Sequence, residues 1–165
     1  MNGCVNIRSE KLGRSLGKLA RLTSLDVSHC PGILRASWQG NIDALRSLEL
    51  CYSGVDDAQL AQLRDLPALE ELNLDSCAVG DRGVAHLVEA APNLARLDLA
   101  DTEISDVSMS MLAQLKRIRR LSLFYCNISN IGMQRTTLSA LFDWFVLTCS
   151  LDVLKPRSEA YCNHV

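Results

Sequence analysis

Apolar residues recur along the chain with a fixed spacing. Each copy of the pattern is apolar at its first, fourth, sixth and eleventh positions, although the eleventh-position residue of the first copy comes one place late. The copies begin at Leu22, Leu45, Leu69, Leu94 and Ile118, so the steps are 23, 24, 25 and 24 residues. The third to seventh positions alternate between polar and apolar, which is typical of a short strand with one buried face. Five such strands at regular intervals predict repeated units that stack side by side.

The ninth residue of each copy lies where the chain turns away from the predicted strand. We expect its side chain to point inward and to hydrogen-bond backbone groups that the turn leaves unpaired. Because serine or threonine separates the cysteines along this series, we expect no disulfide and no zinc site among them. The ninth-position residues are Cys30, Ser53, Cys77, Thr102 and Cys126.

A second pattern follows the predicted strand in four of the copies. An aspartate or asparagine stands directly ahead of apolar residues at helical spacing, at Asp57, Asp81, Asp106 and Asn130. Such side chains cap helices by accepting hydrogen bonds from the first backbone N–H groups. We therefore predict a short helix after each strand, with this residue as its N-cap. The predicted fold is an α/β solenoid with a short parallel β-sheet on the concave face and short helices on the convex face.

The two interlocked patterns resemble the leucine-rich-repeat family over Leu22 to Gln134. Within that family, the ninth-position cysteine and the aspartate ahead of the helix are similar to the repeats of F-box/leucine-rich-repeat proteins. No F-box-like segment is recognised ahead of Leu22. The resemblance implies a protein-interaction module for target recognition in ubiquitin ligation, with a ubiquitin-ligase adaptor among its partners. An immune or signalling recognition module is a second implication.

The expected organisation has four parts. Residues 1–21 are a partial repeat or an N-terminal cap helix, and residues 22–134 are five leucine-rich repeats. Residues 135–151 form a degenerate sixth repeat or a cap, or do not belong to the solenoid, and residues 152–165 form a tail. Both ends resemble cut repeats, which leaves open a non-catalytic fragment or structural spacer of a larger repeat protein.

Composition and the absence of certain motifs reduce the number of functional classes that we expect for this sequence. The 165 residues are 48% hydrophobic and carry a formal net charge of -2, without the basic excess typical of nucleic-acid binding. The sequence shows no signal-peptide pattern and no uninterrupted apolar run of membrane-spanning length, so we expect a cytoplasmic or nuclear protein with reduced thiols. It contains no glycine-rich phosphate loop, nucleophile elbow or HExxH motif. We therefore expect no enzymatic activity, no cofactor and no metal.

The outward positions of the predicted strands form the candidate binding surface. Acidic residues prevail there through the first four strands, and basic residues increase at the fifth. We expect a partner protein with a basic or mixed-charge segment to lie across this face, anchored by Tyr52 or Phe124. The candidate partner-binding residues are Asp26, Glu49, Tyr52, Glu71, Asp75, Asp98, Arg96, Arg120 and Phe124.

Overall fold

A computed structural model of the chain describes residues 21–31, 42–129 and 132. The strands are β1 (Ser24–Asp26), β2 (Ser47–Glu49), β3 (Glu71–Asn73), β4 (Arg96–Asp98) and β5 (Arg120–Ser122). The helices are α1 (Asp57–Leu60) between β2 and β3, α2 (Asp81–Ala90) between β3 and β4, and α3 (Asp106–Leu112) between β4 and β5. The expected N-terminal partial repeat, the sixth repeat, the tail and Asn130 lie outside the described residues.

The five strands form one parallel sheet in chain order, which confirms the predicted fold. The central leucine of each strand aligns with that of the next, as Leu48 does with Leu72. The backbone ladder continues past the strands. The N–H of the sixth position donates to the fifth-position carbonyl of the next repeat, and the N–H of the eighth position donates to the seventh-position carbonyl. For example, Tyr52 N donates to Asp75 O at 3.0 Å. Neighbouring repeats are therefore held in a single register as far as the eighth position.

The core lies between the sheet and the helices and is aliphatic. Leucines at the first, fourth and sixth positions of the three middle repeats are at most 3% exposed. Residues such as Val84, Leu87, Met109 and Leu112 close the core from the helical side. Because each repeat packs only on its neighbours, these layers join into one continuous row of buried side chains.

The ninth-position side chains point inward and hydrogen-bond carbonyl groups of the turns, as predicted. The Ser53 hydroxyl donates to the Leu50 carbonyl, and the Cys77 thiol donates to the same carbonyl from the next repeat at 3.2 Å. Thr102 and Cys126 repeat the arrangement on one shared carbonyl, that of Leu99. Burial raises the pKa of the Cys77 thiol, which keeps it protonated and able to donate. The alternation of hydroxyl and thiol therefore joins the repeats in pairs.

The prediction that Asp57, Asp81 and Asp106 are N-caps is wrong by one position. Each is the first residue of its helix, and the residue before it has the extended backbone of an N-cap. The carboxylates bond to the following repeat instead: Asp57 accepts from Gly80 N at 2.7 Å, and Asp106 accepts from Ser129 N at 2.7 Å. Asp57 thus satisfies the start of α2, where unpaired N–H groups favour a negative charge.

Asp81 makes the largest number of these bonds. It accepts from Ser105 N at 2.9 Å, from Ser105 Oγ at 2.6 Å, from Ser108 N at 3.1 Å and from Ser108 Oγ. Burial is the largest single influence on its pKa and raises it, yet the hydrogen bonds from Ser105 and Ser108 together hold the pKa below its ordinary value. Asp81 is therefore a charged link between α2 and α3.

The aspartate links require a small residue at the third position of the next helix. A Cβ atom at Gly83 would lie 2.5 Å from Asp57 Oδ1, so the carboxylate leaves no space for a side chain there. The equivalent position in α3 is Ser108, whose hydroxyl becomes a donor to Asp81. The small residue follows the aspartate by 26 or 27 residues in these two cases. That spacing is the sequence signal that could have predicted the link.

Candidate protein-binding surface on the sheet

All the predicted partner-binding residues are exposed or half-buried, and they occupy the third, fifth, seventh and eighth positions of the repeats. The register places them in columns that run across the strands. The third-position column contains Glu71, Arg96 and Arg120, and the fifth-position column contains Asp26, Glu49 and Asp98. Asp75 and Phe124 are at the seventh position and Tyr52 is at the eighth.

The third-position column is mixed in charge rather than acidic. Arg96 Nη1 lies 3.0 Å from Glu71 Oε1 across β3 and β4. In the adjoining second-position column, Arg46 forms an ion pair with Glu70. Exposed pairs of this kind contribute little to stability, but they neutralise the carboxylates involved. Glu71 therefore does not extend the predicted acidic stripe, and the uncompensated acidity lies toward the carboxyl ends of the strands.

Two of the fifth-position carboxylates also support the backbone. Asp26 Oδ1 accepts from Ser28 N, and Asp98 Oδ1 accepts from Ala100 N, each at 3.0 Å. Asn73 makes the same bond to Asp75 N at 3.0 Å. An aspartate or asparagine that bonds the N–H two residues later stabilises a turn. The hydrogen bond from Ser28 N also holds the pKa of Asp26 below its ordinary value.

The eighth residue of each repeat has a left-handed backbone conformation. The φ angles lie between 48° and 57° although none of these residues is glycine. Such a conformation disfavours residues with a Cβ atom, and the ladder bonds to the next repeat hold it in place. Sequence reasoning missed this column because glycine, the usual signal, is absent. Its members are His29, Tyr52, Ser76, Asp101 and Tyr125.

Substitutions at Ser76 test this conformation. Ser76→Val is expected to be about 1–2 kcal/mol less stable than Ser76→Gly, because a β-branched side chain strains a positive φ. Ser110, an exposed residue within α3, provides the control. There the order should reverse, with Gly about 0.5 kcal/mol worse than Val, because glycine weakens a helix. Urea unfolding followed by circular dichroism measures both pairs. The same order at the two sites would contradict the left-handed assignment.

Three carboxylates approach one another near the carboxyl ends of β3 and β4. Ser76 Oγ donates to Asp75 Oδ1 at 3.0 Å and to Asp101 Oδ2 at 3.3 Å. Burial, followed by the neighbouring charges of Asp98 and Asp101, raises the pKa of Asp75 against the lowering effect of the Ser76 hydrogen bonds. A cation placed here would relieve the repulsion between these groups.

Aromatic side chains lie at both ends of this acidic group. The rings of His29 and Tyr52 are stacked with their centroids 5.0 Å apart, and the rings of Phe124 and Tyr125 are 6.4 Å apart. Tyr52 is 51% exposed and Tyr125 is 70% exposed. The structure therefore places the two predicted anchors, Tyr52 and Phe124, at opposite ends of the surface and does not bring them together.

No group of three or more His, Cys, Asp or Glu side chains among residues 21–31, 42–129 and 132 is placed to hold a metal ion. Of the helices in the same ranges, none has the length and apolar character needed to cross a membrane.

The chain is similar to a known protein family and to a protein of known structure. A family model described as Leucine Rich repeat matches residues 66–88 and 90–113, the segments that contain β3 and β4. An internalin from Listeria monocytogenes str. 4b F2365, known from a crystal structure, has 14% sequence identity and a TM-score of 0.46. That similarity covers 80% of this chain and 49% of the internalin chain, so the chain spans about half the length of that structure.

Proposed function

Because the chain is a leucine-rich-repeat protein, we propose that it is a non-catalytic interaction module that binds a partner protein through the outward face of its sheet. Stacked repeats provide extended concave surfaces that serve for binding. The observation that carries the proposal is the pair of exposed tyrosines, Tyr52 and Tyr125, on either side of the carboxylates of Asp75 and Asp101. Aromatic side chains that pack away from the core are typical anchors for a partner.

The charge distribution supports a partner with a basic or mixed-charge segment. Glu49, Asp75 and Asp98 lie on the carboxyl-terminal half of the face, while Arg96 and Arg120 lie in the third-position column. A basic segment would be attracted to the first group, and acidic residues beside it would meet the arginines. Complementary charge of this kind raises the association rate and selects the partner. Five strands span only roughly 20 Å, so residues beside the sheet must also contribute to an interface of standard size.

A narrower role is target recognition in ubiquitin ligation, within the cytoplasm or the nucleus. The resemblance of the ninth-position cysteines to those of F-box/leucine-rich-repeat proteins supports it. In this role the repeats would hold the target, and a ubiquitin-ligase adaptor would connect them to the ligase.

Charge removal on the sheet face tests the proposal. The variant Glu49→Gln/Asp75→Asn removes two carboxylates without touching the turns that Asp26 and Asp98 stabilise. The control variant Asp65→Asn/Glu89→Gln makes the same chemical changes at two exposed positions away from the face. In affinity capture from native cell extract, the face variant is expected to retain roughly three- to tenfold less partner than wild type, since each exposed pair contributes up to about 1 kcal/mol.

The control variant should retain the partner at the wild-type level, and moderate salt should weaken capture by the wild type. Circular dichroism establishes first that all three proteins are folded. Equal retention by the two variants, or no protein retained by any of them, would refute binding through this face. The fragment or spacer interpretation would then be favoured.

A further inference from the structure

The carboxyl ends of the strands form a continuous surface, here named the terminal edge. Its backbone is joined from repeat to repeat, as by Tyr52 N to Asp75 O at 3.0 Å and Asp101 N to Phe124 O at 2.7 Å. Side chains along it are therefore spaced by whole strand separations. The terminal edge consists of His29, Tyr52, Asp75, Asp101, Phe124 and Tyr125.

The spacing of the aromatic ends matches an extended peptide. Tyr52 belongs to the repeat of β2 and Tyr125 to that of β5, so three interstrand steps separate them, about 14 Å. An extended chain advances about 3.3 Å per residue, so this distance corresponds to about four residues. Residues four apart in an extended chain point to the same side, and so does the residue midway between them.

The midpoint between Tyr52 and Tyr125 is acidic. It falls between the repeats of β3 and β4, where Asp75 and Asp101 both accept hydrogen bonds from Ser76 Oγ. Asp98, in the fifth position of β4, adds a further charge close to Asp75. A guanidinium group suits this place, because it presents several donors in one plane and can bond two carboxylates at once.

The aromatic ends are suited to apolar side chains. The parallel stacking of Tyr52 on His29, with 7° between the ring planes, presents a preformed flat surface. Phe124 and Tyr125 form a second aromatic pair at the other end, with ring planes inclined by 38°. Rigid, exposed aromatic groups bind apolar side chains with little loss of conformational freedom.

We propose that the terminal edge binds an extended segment of a partner protein with phenylalanine or a similar apolar residue at positions i and i+4 and arginine at position i+2. The segment runs across the strands, with its arginine over Asp75 and Asp101 and its apolar residues at Tyr52 and at Tyr125. The inference rests on the proposed function and narrows it to one side of the sheet and one sequence pattern.

Synthetic peptides test the pattern. A peptide with the central sequence Phe-Gly-Arg-Gly-Phe, flanked by Gly-Ser pairs, is titrated into the isotopically labelled full chain and followed by two-dimensional NMR. Amide shifts are expected at Tyr52, Ser76 and Tyr125. The rearranged peptide Phe-Arg-Gly-Gly-Phe has the same composition but points its arginine away from the carboxylates. It should bind at least fivefold more weakly, as should Phe-Gly-Glu-Gly-Phe. Equal affinities for the three peptides, or shifts centred on the third-position column, would overturn the inference.

Variants of the chain separate this inference from the proposed function. Tyr52→Ser and Tyr125→Ser introduce serine at the eighth position. Ser76 already has the left-handed conformation at this position of its own repeat, so the turns are retained. Each is expected to weaken the peptide at least threefold, while Asp65→Asn leaves the affinity unchanged. If both variants bind the peptide as wild type does and still capture the cellular partner, the inference fails. The proposed function fails separately, if capture does not depend on Glu49 and Asp75.

Discussion

Replacement of Asp81 by alanine is expected to lower the free energy of unfolding by about 3 kcal/mol. The carboxylate accepts four hydrogen bonds from Ser105 and Ser108, and Ser108 is fully buried. Hydrogen bonds to a charged group contribute about 1.5–3 kcal/mol, and buried donors left without an acceptor add a desolvation cost. Urea unfolding at neutral pH, followed by circular dichroism, measures the loss.

Asp57 provides the matched control for this prediction. It holds the equivalent position in α1 and accepts one bond of this kind, from Gly80 N at 2.7 Å. Asp57→Ala is therefore expected to cost about 1 kcal/mol. If the two substitutions cost the same, the additional bonds to Ser105 and Ser108 contribute nothing, and Asp81 is not the principal link between helices.

The contribution of the Asp81 carboxylate to the free energy of unfolding should also decrease in acid. Its folded-state pKa lies below the ordinary value of 3.8. The carboxylate therefore stabilises the fold fully above its unfolded pKa, and the stabilisation is lost as the pH falls through the folded pKa. The difference between wild type and Asp81→Ala should be constant from about pH 5 to pH 8 and should shrink below about pH 4. A difference that grows in acid would contradict the sign of this shift.

Replacement of Leu74 by alanine is expected to cost about 3 kcal/mol or more. Leu74 is at the sixth position of the middle repeat and is 0% exposed. Its removal takes apolar surface out of the core and leaves a cavity, and such substitutions typically cost about 2–5 kcal/mol. Because repeats are stabilised only through their neighbours, a cavity in the middle of the row weakens the packing on both sides.

Val107→Ala is the control for Leu74→Ala. Val107 lies in α3 and is 60% exposed, so its truncation should change the stability by less than about 0.5 kcal/mol. Both proteins are compared with wild type by urea unfolding under the same conditions. A loss below about 1 kcal/mol for Leu74→Ala would show that the middle repeat is not closely packed around this leucine.

The binding surface shows why the number of charges in a sequence does not describe an electrostatic surface. The outward strand positions were predicted correctly, yet the acidic stripe is narrower than expected. Arg96 pairs with Glu71 because β3 and β4 align their third positions. Asp26 and Asp98 each use one carboxylate oxygen to accept a hydrogen bond from a backbone N–H of a turn. The negative charge of the face is consequently concentrated on the carboxylates at the carboxyl ends of the strands. Aromatic residues lie beside these carboxylates and can contact the same partner.

The pattern of apolar and polar residues was sufficient to predict the positions of the strands, their order in a parallel sheet, the aliphatic core and the inward-facing ninth residues. These features follow from local alternation and from a repeat length that is almost constant. Each unit buries its apolar face only against the next unit, so the pattern of one repeat predicts the arrangement of all. The alternation of serine or threonine with cysteine was equally visible, but the sharing of one carbonyl by two repeats was not.

The contacts between side chains of different repeats became evident only in three dimensions. Asp81 looks like a cap of its own helix, but its partners lie 24 to 27 residues later. Tyr52 and Ser76 have a left-handed conformation although neither is glycine, so the sequence did not indicate this conformation. Both features depend on the distance and register between neighbouring turns, which the backbone ladder sets. A local pattern specifies which side chains are available, whereas contacts between repeats decide which of them remain available for a partner.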